Sequence, residues 1–291
     1  MAVVDCMRKI LIPLALLAGG VGGFIRANEW HWAWDKTDGL MIPYHFLSIL
    51  LLGFSFVFLL LVVAIVRSAP AQPEVTRSEA TDFRPAQWLG WAEGLAILAL
   101  LAGAVLDAHG FIVAQTPNTQ IKGLSTLIFA VLSILACICM IVIVQAAGRG
   151  ALGRAYGIYM LVPVFWACFW LIRNIGTYAI NPVPLSFFYD MMCTIFALLS
   201  LYASAGFFFG QARIRRAIAY SMMGIYFALV TLLGPGLHWL QWGTLPLEGF
   251  QVGDLFRFGF VLLHLTVILH MAGVGIPKSS SLIRRNRTAE M

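Results

Sequence analysis

Residues 44–66, YHFLSILLLGFSFVFLLLVVAIV, contain no Asp, Glu, Lys or Arg, and the run stops at Arg67. As a helix rising about 1.5 Å per residue, the stretch is long enough to cross a hydrocarbon core of about 30 Å. A helix that is apolar on every side presents no face to water, which suits lipid or a deeply buried core. Seven further apolar stretches accompany it, at 10–25, 88–106, 125–145, 155–172, 186–209, 217–234 and 254–275, each near the length of one crossing. The expected fold is an all-α polytopic membrane helix bundle of about eight transmembrane helices, forming a single domain over residues 1–275.

The connectors sort these spans by side. Arg8 and Lys9, then Arg67, Arg77 and Arg84, then Arg149 and Arg154, then Arg213, Arg215 and Arg216, and finally Lys278, Arg284, Arg285 and Arg287 fall on alternate segments, 14 of the 19 Lys and Arg. The opposite side holds Arg26, Lys36, Lys122 and Arg173, with Arg257 inside the last span. Positive connectors stay cytoplasmic, so both termini are expected inside, with a bacterial plasma membrane as the expected home. Composition agrees: 60% of residues are hydrophobic and 11% charged, against about 25% charged in soluble domains, and the mean hydropathy is +0.87. The net charge of +6 does not indicate nucleic acid, because the basic residues flank spans instead of forming one stripe. The basic tail 276–291 is expected to be disordered and to serve as a solvated topogenic segment, with contact of Arg284, Arg285 and Arg287 to anionic lipid headgroups as the alternative.

Small residues mark expected helix contacts. Gly19/Gly23, Gly90/Gly94 and Gly206/Gly210 are each spaced by about one helical turn, which clears a face for a neighbouring backbone. Pro163 falls midway along the fifth span and is expected to kink it. Trp30, Trp32 and Trp34 in the first outer loop, with Trp239 and Trp242 in the last, read as an interfacial belt. Phe165/Phe169 and Trp166/Trp170 make two aromatic stripes suited to core or lipid contact. Cys137, Cys139, Cys168 and Cys193 lie inside spans and read as small packing residues, not as a disulfide framework. The first apolar run follows Arg8 and Lys9 as a signal peptide would, but its glycines extend it without a clear cleavage site, so a retained span is expected. The connector 67–87, rich in Pro, Ser, Thr and charge, is expected to be mobile.

Charged groups at mid-membrane cost about 2.5–3.5 kcal/mol on insertion scales, so they are the strongest functional clues in such a chain. His45, Asp107, His109, Arg173, Asp190, His238, Asp254, Arg257 and His264 all fall in the expected outer half, while Glu93 and His270 fall in the inner half. Arg173 and Asp190 each lie 8.5 positions from a centre between Asn181 and Pro182 in the turn Asn181-Pro182-Val183-Pro184, which predicts an ion pair across the hairpin. Asp254 and Arg257 are three residues apart and can pair on one helix face. Arg257, His264 and Met271 recur every seven residues, as one stripe would. The candidate ligand-binding residues are therefore Arg173, Asp190, Arg257, His264 and Asp254. No HExxH, paired CxxC, GxSxG, Walker loop or dinucleotide fingerprint is present, so neither a catalytic residue nor a metal or other cofactor is expected.

Within this region the segment from Leu161 to Gly210 carries Phe165-Trp166, Phe169-Trp170, Asn181-Pro182, Tyr189-Asp190, Tyr202 and Gly206. It resembles a segment of uncharacterised bacterial multi-pass membrane proteins, and the resemblance implies no activity. Three functional expectations follow from the residues. The first is a non-catalytic protein that binds or carries a small ligand through an outward-facing polar pocket. The second is a quinone-binding membrane anchor of a redox complex, using His264 or Glu93. The third is a structural or assembly subunit that meets a membrane protein partner. In the third, the Arg173–Asp190 pair only pins the hairpin and His264 only bonds a neighbouring helix.

Overall fold

The computed structural model describes residues 2–33, 42, 44–68, 87–113, 120–148, 154–178, 184–209, 214–244 and 252–271. Among the described residues eight α-helices follow in chain order: α1 (Ala2–Trp32), α2 (Phe46–Ser68), α3 (Gln87–Val113), α4 (Gln120–Gly148), α5 (Gly157–Tyr178), α6 (Pro184–Phe208), α7 (Ile214–Trp242) and α8 (Val252–Met271). A single 3-10 turn, Arg154–Tyr156, leads into α5. There is no strand among the described residues. Seven apolar stretches of 21 to 28 residues, long enough to cross a membrane, fall on α1 to α7, the fifth of them starting at Arg154 in the 3-10 turn before α5. The protein is a helical multi-pass membrane bundle. Most of the connector 67–87, the tail 276–291, Trp34 and Gly210 lie outside the described residues.

The order of packing follows the chain. Helices α3, α4, α5, α6 and α7 each pack on the next, and α8 closes the set between α3 and α7, while α1 and α2 lie against α7. Side chains of α8 reach all five of the helices around it. Phe256 packs on Phe129 of α4 and on Trp166 and Trp170 of α5. Arg257 meets α6 at Asp190, and His264 meets it at Ser200. Close backbone approach makes room for these large groups. A Cβ at Gly224 of α7 would lie 2.8 Å from the Phe260 ring, and one at Gly259 would lie 2.9 Å from the Ala96 carbonyl oxygen of α3.

The surface shows which solvent each helix was written for. Helix α2 buries Ser48, Leu51, Ser55, Phe58 and Val62, a narrow stripe at spacings of three and four. Its remaining faces leave Phe46, Phe56, Val57 and Leu60 exposed. Leu17, Leu98, Ile158, Phe165 and Ile172 are likewise open. In water such continuous apolar surface would drive association; around a bundle of spanning length it is the lipid-facing coat. By contrast, α7 is buried along the whole of 221–228, which makes it the hub against which α1, α2, α6 and α8 pack.

Several sequence expectations need correction here. The first span does not end at residue 25 but runs to Trp32, because Arg26 and Glu29 neutralise each other inside the helix and need not leave it. The seventh does not end at residue 234 but runs through Pro235 to Trp242. Losing one backbone donor does not stop a helix that neighbours hold on several faces. Trp30, Trp32, Trp239 and Trp242 are therefore helical, not loop residues. The Gly19/Gly23 contact is present: added Cβ atoms there would lie 2.7 Å from Leu229 and Leu233 of α7. Gly90 and Gly94 make no such contact, since a Cβ at either meets no described atom within 4 Å. Pro163 sits inside α5, which is continuous across it.

Candidate functional site

One end of the bundle gathers the buried charges. The C-terminal ends of α1, α3, α5 and α7 meet there with the N-terminal ends of α2, α6 and α8. Arg26, Glu29, Asp107, Asp190, Asp254 and Arg257 are all buried at this end, and Arg173 is partly so. The opposite end carries Arg67, Arg154, Arg215 and Arg216 among its described residues.

The centre of the polar end is Arg257. It donates through Nη2 to Asp190 Oδ2 at 2.7 Å and through Nη1 to Asp254 Oδ1 one turn earlier on the same helix. The expected Asp254–Arg257 contact is therefore present, and Asp190 joins it from α6. At low dielectric such charge-assisted bonds are strong, and leaving any member alone is costly. The triad fastens α8 to α6 at this end.

Arg173 belongs to a different pair. It donates through Nη1 to Asp107 Oδ2 and through Nη2 to Asp107 Oδ1, the second bond at 3.0 Å. To reach α3 from α5 the guanidinium passes over the Phe129 ring of α4, 4.9 Å from its centre. The predicted Arg173–Asp190 hairpin pair is thus replaced by Arg173–Asp107 and Asp190–Arg257. Register explains the exchange. Asn174 Nδ2 donates to Thr194 Oγ1 at 3.0 Å, a pair whose midpoint is residue 184. The sequence argument had centred the hairpin between 181 and 182. The shift sets Asp190 out of level with Arg173, and its place beside fully buried Tyr189 turns it inward towards α8.

His264 lies about two turns beyond Arg257, buried to 2% exposure. Its Nδ1 is 3.0 Å from the Phe260 carbonyl oxygen and its Nε2 2.8 Å from Ser200 Oγ. Both ring nitrogens are engaged, one within α8 and one across to α6. The imidazole therefore serves as a link between helices in this structure. The side chains of His270 and Met271, the latter the third member of the expected stripe, lie outside the described residues.

The other polar residues have separate places. His45 caps α2, its Nδ1 accepting from the Leu47 N–H at 3.3 Å. His109 is exposed. His238 Nδ1 lies 2.7 Å from the Thr244 carbonyl oxygen, and its ring stands beside Trp242 and His31. Among the described residues, no three His, Cys, Asp or Glu gather as metal ligands would. Glu93, far from this end, is 8% exposed, and its Oε2 has no hydrogen-bond partner among the described residues.

Sequence reasoning missed Arg26 and Glu29. Arg26 donates to Glu29 Oε2 at 2.6 Å, and its guanidinium lies over two rings, 4.7 Å from the centre of Trp30 and 5.1 Å from that of Tyr189. The signal was available: opposite charges three apart, followed by Trp30, directly continue the glycine-rich face of α1. No family model, no characterised protein and no solved structure matches the chain.

Proposed function

We propose that this protein is a non-catalytic multi-pass membrane protein that binds or carries a small ligand at the polar end of the bundle, with Arg173 as the contact for an anionic group. The observation that carries the reading is the asymmetry of the Arg173–Asp107 pair. The Arg173 side chain is 26% exposed and the Asp107 side chain 7%, whereas Arg257, Asp190 and Asp254 are at most 10% exposed. An incoming carboxylate or phosphate meets the open side of a guanidinium whose planar donors suit it. Asp190, Asp254 and Arg257 then form the buried floor, with His264 below them. The positive-inside bias directs this end outwards, with both termini cytoplasmic, in a bacterial plasma membrane. The resemblance of Leu161–Gly210 to bacterial multi-pass proteins is part of the same proposal.

A second reading is favoured by one specific observation: all five candidate residues are already engaged with side-chain or backbone partners, four of them in ion pairs. Such pairs can serve only to fix helix register, as in a structural or assembly subunit that docks on another membrane protein. The quinone anchor is the weakest of the three, because His264 offers no vacant ring nitrogen; Glu93 is left as its polar group.

Native mass spectrometry of protein extracted in mild detergent separates these readings. A stoichiometric small-molecule adduct that disappears in Arg173→Ala supports ligand binding, and a quinone mass favours the redox anchor. A spectrum with lipids or a co-purifying protein only, unchanged by Arg173→Ala, refutes the ligand reading.

A further inference from the structure

Around Arg26, three buried polar atoms find no hydrogen-bond partner among the described residues: Glu29 Oε1, Trp30 Nε1 and the Tyr189 hydroxyl. Glu29 and Tyr189 are fully buried. All three side chains contact the same guanidinium, which takes Glu29 Oε2 as acceptor and lies 4.7 Å from the Trp30 ring centre and 5.1 Å from that of Tyr189. The charged and titratable groups that act on the Tyr189 hydroxyl are Glu29, Arg26 and Tyr226, with Ser55 nearby. Ser55 Oγ donates to the Leu51 carbonyl at 2.8 Å and shares a 2.7 Å hydrogen bond with Tyr226, and no hydrogen bond joins it to the Tyr189 hydroxyl. Buried polar atoms of this kind are nearly always paired, with protein or with bound water, so a cluster of three needs an explanation.

The inventory of the three atoms defines the occupant. Trp30 offers one N–H and Tyr189 one O–H, while Glu29 Oε1 can only accept when ionised. One oxygen that accepts two hydrogen bonds and donates one satisfies all three. A carbonyl accepts two but leaves Glu29 unserved, and an ammonium serves Glu29 but leaves both donors idle. A hydroxyl oxygen does both. We infer that Arg26, Glu29, Trp30 and Tyr189 form a binding site for a hydroxyl oxygen, supplied by a bound water molecule or by a small hydroxylated ligand. The site is separate from the Arg173–Asp107 pair and does not depend on its role. It joins α1 to α6 and hydrates an ion pair that the membrane would otherwise leave dry.

Radiolytic hydroxyl-radical labelling of the intact protein in lipid nanodiscs, read by peptide mass spectrometry, tests the inference. A bound water generates radicals where it sits. Tyr226 is the internal control, because it is equally buried and its hydroxyl is already bonded to Ser55. With water as occupant, Tyr189 is modified several-fold more than Tyr226, and native mass spectra carry no adduct. With a hydroxylated ligand, Tyr189 stays unmodified and an adduct mass appears that is lost in Trp30→Phe and retained in Phe165→Leu, a change on the lipid-facing surface. Equal labelling of Tyr189 and Tyr226 without any adduct overturns the proposal. The wild-type comparison decides between water and an empty site even if a variant fails to fold.

Discussion

Replacing Arg257 with Met tests whether the buried triad governs the packing of α8. The change keeps the length and bulk of the side chain and removes the charge that Asp190 and Asp254 share. Both carboxylates are then left buried, at 8% and 7% exposure. Breaking a buried pair by deleting one partner costs about 3–5 kcal/mol. For a chain of this size, about 2 °C of midpoint per kcal/mol gives a fall of roughly 6–10 °C in apparent Tm. The protein carries its own reporter: Cys137, Cys139 and Cys193 are free and buried, so a thiol-reactive dye reads their exposure on heating in detergent. Neutralising the stranded groups should reverse most of the loss, so the triple variant Asp190→Asn, Asp254→Asn, Arg257→Met is expected within about 1–2 kcal/mol of wild type. An unchanged midpoint in Arg257→Met refutes the reasoning. A triple variant no more stable than the single one refutes it as well, since the loss would then come from packing and not from stranded charge.

Glycine substitutions should divide by what a Cβ meets. Gly259→Ala, aimed at the Ala96 carbonyl oxygen and Leu100, is expected to cost about 1–3 kcal/mol in the same thermal assay, whereas Gly20→Ala, which meets nothing within 4 Å, is expected to be neutral or to gain up to about 1 kcal/mol. Ser55→Ala and Tyr226→Phe should show a coupling of about 0.6 kcal/mol in a double-mutant cycle, because each removes one end of the same 2.7 Å bond. Exchanging the pair, Arg173→Asp with Asp107→Arg, should restore the expression lost in either single change. Retained ligand adduct in the exchanged protein would argue against Arg173 as the anionic contact. Reporter fusions at the two termini should both read cytoplasmic; an external C-terminus would remove the basis for an outward-facing polar end.

The fold was largely legible because a membrane imposes few choices. Apolar length and the absence of charge marked helices such as α2, whose helix from Phe46 to Ser68 nearly coincides with the run 44–66. Boundaries failed where charge was taken as an exit from the membrane. Arg26 and Glu29 stay inside α1 by pairing within one turn, and α7 continues past Pro235 because several helices surround it. Glycine spacing was a sound signal at Gly19/Gly23 and an empty one at Gly90/Gly94. The motif states only that a face is small, not which neighbour lies across it.

Pairing was the harder problem, and the reason is geometric. From sequence, Arg173 could be matched only along its own hairpin, where Asp190 seemed level with it. Its observed partner Asp107 lies 66 residues away on α3, reached by crossing over Phe129 of the intervening helix. That route exists only because α3, α4 and α5 pack in sequence around α8. The local pair Asp254–Arg257 needed no such knowledge and was read correctly, but its third member, Asp190, was assigned elsewhere. An i,i+3 ion pair is fixed by helix geometry alone, whereas a pair between helices is fixed by the packing order of every helix between them. The sequence of this bundle therefore names the charged residues of its polar end more securely than their partners.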